Sequence, residues 1–171
     1  MDIIEAIQIR RSVRKFMPAE IEHEKLVSVL QIATHGPSAG NLQPWQTRVI
    51  RDAETKQALA EAAPGHRFLA DAPVVLVFCI QPARSSERYG ARGAELFCIQ
   101  DAAVAVAYAQ LAATAAGLGS CWVGDFDEQK VACVLKLSNG DRPVTILPIG
   151  YSTAPVARNP RMTLDEVMKR Q

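Results

Sequence analysis

Residues 94–116 contain neither proline nor glycine, and alanine dominates them, with Leu96, Ile99, Val104, Val106 and Leu111 spread around the axis. The stretch predicts a helix of roughly 35 Å at 1.5 Å per residue. A helix that is apolar nearly all round must be covered on most faces, so the rest of the chain has to wrap it. A membrane span is the rival for an apolar run of this length. Gln100, Asp101, Tyr108, Gln110 and Thr114 within it, and alanine in place of leucine, favour the buried helix of a soluble protein. Small side chains also permit close helix-to-helix approach, which makes this helix a candidate dimer interface.

The wrapping material is legible in outline. Val74-Val75-Leu76-Val77-Phe78-Cys79-Ile80 is apolar without alternation, the pattern of a strand covered on both faces and central in its sheet. Shorter strands are predicted at 46–50, 120–124 and 144–150, and helices at 23–34, 54–63 and 127–137, the last with Asp127 as its N-cap. Leu26, Val27, Leu30 and either Ile32 or Ala33 turn toward the core. Phe68-Leu69 reads as a connecting turn, Asn139-Gly140 as the turn into the last strand, and 164–168 as a closing turn. Residues 81–93 are polar and include Pro82, Ser85, Ser86 and Gly90, which predicts a mobile loop or lid. His66 reads as a solvent-facing loop residue. A chain of 171 residues, 49% of them apolar, is most simply a single domain over 1–171.

A short helix with Ile3, Ile4 and Ile7 on one side leads into Arg10-Arg11-Ser12-Val13-Arg14. Three guanidiniums and a hydroxyl within five residues can converge on a compact dianion such as phosphate, because the planar N–H fork of arginine matches phosphate oxygens. A solvated basic turn is the other reading. Further on, Pro37-Ser38-Ala39-Gly40-Asn41-Leu42-Gln43-Pro44-Trp45 combines small residues, two amides and stiffening prolines. Such a loop can lie flat against a planar ligand, or simply join a helix to a strand over a buried tryptophan. The run Ser120-Cys121-Trp122-Val123-Gly124 ends in a glycine that leaves a bare backbone amide free to face a ligand.

A net charge of +1 argues against general affinity for nucleic acid, so the arginines must act locally. Cys79, Cys98, Cys121 and Cys133 form no close metal-ligand or redox pair and read as reduced core residues. No convincing Ser/His/Asp set, metal cluster or P-loop occurs. The opening Met1-Asp2-Ile3-Ile4-Glu5 is charged early and is not a secretory leader, so the cytoplasm is the expected location, with no membrane and no nucleic-acid partner.

Taken together, four places in the chain resemble the FMN-dependent nitroreductase family, which includes NAD(P)H-linked flavin reductases. They are Arg10-Arg11-Ser12-Val13-Arg14; the loop from Pro37 to Trp45; Asp101-Ala102-Ala103 through Gly117-Leu118-Gly119-Ser120-Cys121-Trp122-Val123-Gly124; and Leu147-Pro148-Ile149-Gly150-Tyr151 with Pro160-Arg161. The resemblance implies an α+β fold: a nitroreductase-like three-layer α/β/α sandwich with a mixed, mainly antiparallel central sheet, assembled as an intertwined homodimer with FMN at the interface. It implies that Arg10, Arg11, Ser12 and Arg14 hold the phosphate and ribityl chain, and that Pro37, Ser38, Ala39 and Asn41 reach the flavin of the partner. Trp122, Val123 and Gly124 would run along the isoalloxazine edge, with Cys121 also a cofactor-binding position, and Arg161 would be a C-terminal phosphate ligand. Relatives often carry a further cation two residues before that arginine; Asn159 stands there in this chain, and Arg158 is the candidate substitute.

The implied activity takes hydride from NAD(P)H and passes it by a ping-pong mechanism to a nitroaromatic, quinone or flavin acceptor, with no side chain acting as acid or base. Two alternatives stand beside it. One is specialised flavin chemistry on the same fold, such as dehalogenation or flavin breakdown; the other is a non-catalytic FMN-binding module.

Overall fold

The computed structural model describes residues 1–138 and 140–168. The chain opens with α1 (Ile3–Ile9), capped by the Asp2 carboxylate accepting from the Glu5 N–H at 2.8 Å, and continues to α2 (His23–Ala33). β1 (Trp45–Ile50) is followed by α3 (Ala53–Ala62), the four-residue α4 (Phe68–Asp71) and β2 (Val74–Ile80). α5 (Pro82–Arg92) passes through a wide π turn at Gly93–Phe97 into α6 (Cys98–Ala115). β3 (Gly119–Ser120), α7 (Glu128–Val134), β4 (Arg142–Gly150) and α8 (Leu164–Val167) complete it. Asp127 caps α7 as predicted, accepting from the Lys130 N–H at 3.0 Å.

The sheet order is β1-β2-β4-β3 with every neighbouring pair antiparallel. Parallel character is confined, among the described residues, to a single bridge between Ser12 and Ser120. β2 lies between β1 and β4, and all seven of its residues are buried, which explains its unbroken apolar run. Its register against β4 slips between Phe78 and Cys79, where the partner position is Pro143. Proline has no N–H for the ladder, so an irregularity is accommodated there.

Successive β2 side chains point to opposite layers. Val75, Val77 and Cys79 pack with Leu59, Ala62, Leu69 and Val131 from α3, α4 and α7. Val74, Leu76 and Phe78 pack with Leu26, Val29, Ala105 and Ala109 from α2 and α6. Helices therefore cover both faces, giving the three-layer α+β sandwich. Each fully buried aliphatic or aromatic side chain in these layers contributes about 1.5–3 kcal/mol relative to exposure. The run Pro82–Ala115 is long and apolar enough to cross a membrane by length and composition alone. Its Ala102, Ala105, Val106, Ala109 and Ala113 are nonetheless spent on the protein core.

Several expectations need correction. Within residues 81–93, Pro82–Arg92 forms a helix rather than a loop or lid. Pro82 occupies the first turn, where its missing N–H has no intrahelical partner to lose, and Gly90, at φ 58°, bends the chain toward the π turn. Ser85 is buried, and a Cβ at Gly93 would run into the Ser85 backbone, so the bend is tightly packed. Tyr89 meets Phe97 edge-on at 5.3 Å, and Arg92 lies over the Phe97 ring. The polar composition reflects solvent on the outer face, not disorder.

The long helix correspondingly enters as a π turn, and its α-helical part begins at Cys98. In α2 Leu26, Val29 and Ala33 are buried and Leu30 packs partly buried against the same cluster, whereas Val27 is only half-buried and Ile32 is exposed. Phe68-Leu69 belongs to a short helix rather than a turn. Cys133 is exposed, whereas Cys79, Cys98 and Cys121 are buried and free. His66 is half-buried against Phe68 instead of facing solvent, with Nδ1 buried and unpartnered. Of the predicted Asn139-Gly140 turn, Asn139 lies outside the described residues, and Gly140 has φ 96°.

A polar cross-link ties the end of β4 to α2. The Tyr151 hydroxyl donates to Glu22 Oε2 at 2.6 Å and accepts from Lys25 Nζ at 2.6 Å, and Lys25 pairs with Glu22 at 3.1 Å. The Tyr151 hydrogen bond is the main reason the Glu22 carboxyl is pulled down from 4.5 to about 2.

Candidate functional site

Arg10 closes α1: its N–H donates to the Ala6 carbonyl, and its backbone turns out of the helix at ψ 129°. The extended chain beyond it is sewn to the segment after α6. Ser12 bridges Ser120, and the Val13 N–H donates to the Ser120 carbonyl at 2.9 Å. Val13 is buried against Gly119, where a Cβ would fall 2.6 Å from Val13 Cγ2. From the other side, buried Gln110 donates from Nε2 to Ser120 Oγ at 3.3 Å. The tail after β4 leaves along the same seam, with the Met17 N–H donating to the Tyr151 carbonyl and the Thr153 N–H to that of Lys15.

Beside this seam lies an open pocket of about 220 Å³ whose lining includes Arg10, Arg11, Ser12, Arg14, Asn159 and Arg161. An adjoining cavity of about 170 Å³ is lined by Gln8, Arg11, Arg158 and Arg161. Arg158 thus joins the cluster through Arg11 and Arg161 but does not line the larger cavity. The Arg11 guanidinium donates to the carbonyls of Gln8 and Arg10 at 2.7 and 2.8 Å, and that of Arg14 to the Ser12 carbonyl at 3.4 Å.

Among the described residues the ion pairs are Lys25–Glu22, Lys130–Asp127 and Arg142–Glu128, so none of these five arginines is neutralised by a carboxylate. Burial, and then the charges of Arg161 and Arg11, hold the Arg10 guanidinium below its usual range. A group of cations crowded together without a counter-charge is electrostatically suited to an anion.

The predicted ring-edge residues adjoin this cluster. Cys121 is buried, and burial pushes its thiol up, opposed by Arg14, Ser12 and Arg10. Val123 exchanges two 2.9 Å backbone hydrogen bonds with Ile146, which fixes the segment's direction. Trp122 is 39% exposed and Gly124 is exposed, so beyond Cys121 this strip presents an indole and a bare backbone at the surface. Among the described residues no group of three His, Cys, Asp or Glu side chains could hold a metal ion.

Pro37, Ser38, Ala39 and Asn41 line neither arginine cavity. They form a separate turn in which Gly40 and Asn41 both have φ 56° and Gln43 has φ 47°. Each non-glycine residue in the left-handed region costs roughly 1–2 kcal/mol. Ser38 Oγ accepts from the Gln43 N–H at 3.0 Å, Gln43 Nε2 donates to the Thr34 carbonyl at 2.9 Å, and Asp101 Oδ1 accepts from the Ala39 N–H at 3.0 Å. Asp101 and Gln110 were missed as supporting residues. The available signal was that both are polar residues within a largely apolar helix.

The nitroreductase family model matches residues 7–66 and 63–151, nearly all of the folded part. This chain belongs to the nitroreductase family. A Methanothermobacter thermautotrophicus protein provisionally named NADH dehydrogenase/NAD(P)H nitroreductase is 33% identical over 155 residues, spanning 88% of this chain and 78% of its own. The FMN reductase [NAD(P)H] of Bacillus subtilis is 26% identical over 179 residues, spanning 97% of this chain and 72% of its own. The solved structure of B. megaterium NfrA2 superposes with a TM-score of 0.91 at 27% identity, covering 100% of this chain and 75% of the other. In this family member, the seam between residues 10–14 and 119–124 lies within the matched region, whereas Arg158 and Arg161 lie beyond it.

Proposed function

We propose that this nitroreductase-family chain is an FMN-dependent enzyme that takes hydride from NAD(P)H and delivers it to a nitroaromatic, quinone or flavin acceptor. Family membership, together with relatives named NAD(P)H nitroreductase and FMN reductase, makes it an NAD(P)H-dependent oxidoreductase. The observation that carries the FMN reading is the arginine cavity without a carboxylate partner, which suits a phosphate dianion.

Arg10, Arg11, Ser12, Arg14 and Arg161 would hold that phosphate, with Arg158 adding charge from the adjoining cavity in place of the cation absent at Asn159. Each charge-assisted contact of this kind contributes about 1.5–3 kcal/mol. Cys121, Trp122, Val123 and Gly124 would flank the ring, with exposed backbone at Gly124 free to donate a hydrogen bond where negative charge gathers. When bound, FMN supplies the hydride-accepting and hydride-donating chemistry, in a ping-pong exchange between nicotinamide and acceptor.

Pro37, Ser38, Ala39 and Asn41 would serve the flavin held by a second copy, which accords with their place outside the arginine cavities. An apolar groove of about 550 Å³ lined by Ile3, Ala6, Ile7, Ile32, Tyr108 and Leu111 is left open in the single chain. Covering it with a second copy, as a cytoplasmic homodimer, accounts for the exposure of Ile3 and Ile7 at 61% and 52%. The test of the donor is anaerobic mixing of the FMN-loaded protein with NADH and, separately, with NADPH. Loss of the oxidised-flavin absorbance with at least one of them is expected; a flavin unchanged by both contradicts the activity.

A further inference from the structure

Asp101 is the only buried carboxylate among the described residues, at 7% exposure in the first turn of α6. Oδ1 accepts from the Ala39 N–H at 3.0 Å, but Oδ2 is buried with no hydrogen-bond partner and no cation pairs with either oxygen. Burial pushes the carboxyl above its usual range, opposed by the Ala39 N–H. An acid so placed works against folding, because its desolvation is only half compensated.

What it grips is the turn with left-handed Gly40, Asn41 and Gln43. The approach to that turn also rests on α6: a Cβ at Gly36 would fall 2.9 Å from Val104 Cγ1. From above, the Tyr89 hydroxyl and Arg88 guanidinium close over Gly40, 2.6 and 2.7 Å from where its Cβ would be. The turn is thus clamped between α6 and α5, and Asp101 makes the hydrogen bond from the α6 side.

We propose that Asp101 is a positioning residue, whose carboxylate holds the 38–43 turn in the shape that one copy of the chain presents to the flavin of the other. This rests on the reading above of residues 37–41 as flavin-facing. Shaping the turn needs only Oδ1, the oxygen that accepts from the Ala39 N–H.

Two full-length variants test it. Asp101→Leu removes the acceptor at similar volume, and Asp101→Asn keeps an oxygen for the Ala39 N–H. Amide exchange at Ala39 in the cofactor-free protein, FMN affinity by fluorescence quenching, and the thermal midpoint are measured for each. Asp101→Leu is expected to speed Ala39 exchange and weaken FMN binding, each by roughly tenfold to a hundredfold as for a lost charge-assisted hydrogen bond, with the midpoint unchanged or raised. Asp101→Asn is expected to lose less, roughly threefold to tenfold in both, because a neutral acceptor retains about half of the contact.

Unchanged Ala39 exchange in Asp101→Leu overturns the proposal. So does an Asp101→Asn variant as impaired as Asp101→Leu, or a loss of affinity that only follows a fall in the midpoint. A parent protein that binds no FMN overturns the cofactor reading instead, and the exchange measurement, which needs no cofactor, tells the two failures apart.

Discussion

Arg10→Ala is expected to weaken FMN binding by roughly tenfold to 150-fold, the equivalent of the ~1.5–3 kcal/mol carried by a hydrogen bond to a charged group, while leaving the cofactor-free protein as stable as before or slightly more so. The two halves of this expectation share one cause. Arg10 is half-buried beside Arg11 and Arg161, and its depressed pKa reports burial and their repulsion. Without an anion, removing one of three crowded cations relieves that repulsion. With an anion, the same removal deletes a charge-assisted contact and part of the attraction, which at ~4 Å and an effective dielectric near 20 is about 4 kcal/mol before desolvation. Fluorescence titration with FMN and a thermal melt of the cofactor-free protein check the two halves. Equal affinity in parent and variant would reduce the cluster to a solvated basic turn.

Gly119→Ala is expected to destabilise the fold by about 1–3 kcal/mol, the usual range for forcing extra volume into a packed site, and to damage FMN binding with it. The new methyl would fall 2.6, 2.8 and 2.9 Å from Val13 Cγ2, Cβ and Cγ1. Val13 cannot swing clear, because it is buried and its N–H is bonded to the Ser120 carbonyl. Relief has to come from parting the two segments whose contact brings Arg10, Ser12 and Arg14 beside Cys121. Gly124→Ala is the control: its nearest neighbour is the Trp122 ring at 3.6 Å, an ordinary contact, so the cofactor-free stability should move by no more than about 0.5 kcal/mol. Chemical denaturation of both variants reads the difference, and equal stabilities would show that the seam has slack.

What could be read from the amino-acid sequence follows the range of the forces involved. β2 and the body of α6 were legible because burial on all sides leaves an unbroken apolar run. The α7 cap was legible because Asp127 acts on an amide only three residues ahead. α5 was not, since its solvent face supplies the polar residues and what fixes it is the close approach of Gly93 to the Ser85 backbone, invisible in composition. Likewise Val29 joins Leu26 and Ala33 on the core side of α2, in place of the expected Val27, because of how that helix is rotated against α6.

At the site, clustered guanidiniums announced an anion locus by residue type alone. The bond from Val13 to Ser120, and that from Ala39 to Asp101, join residues far apart in the chain and leave no local trace. Arg158 shows the limit of position matching: its place next to Asn159, where the cation is missing, suggested a substitute, and the fold seats it in the adjoining cavity with Arg11 and Arg161.

Sedimentation velocity of the protein with added FMN, followed at the visible absorbance of the oxidised flavin, tests the central claim most directly. The visible signal is expected to travel with the protein boundary, at the mass of two chains carrying one flavin each. Flavin absorbance that stays behind while the protein sediments would contradict the assignment of the arginine seam as its site.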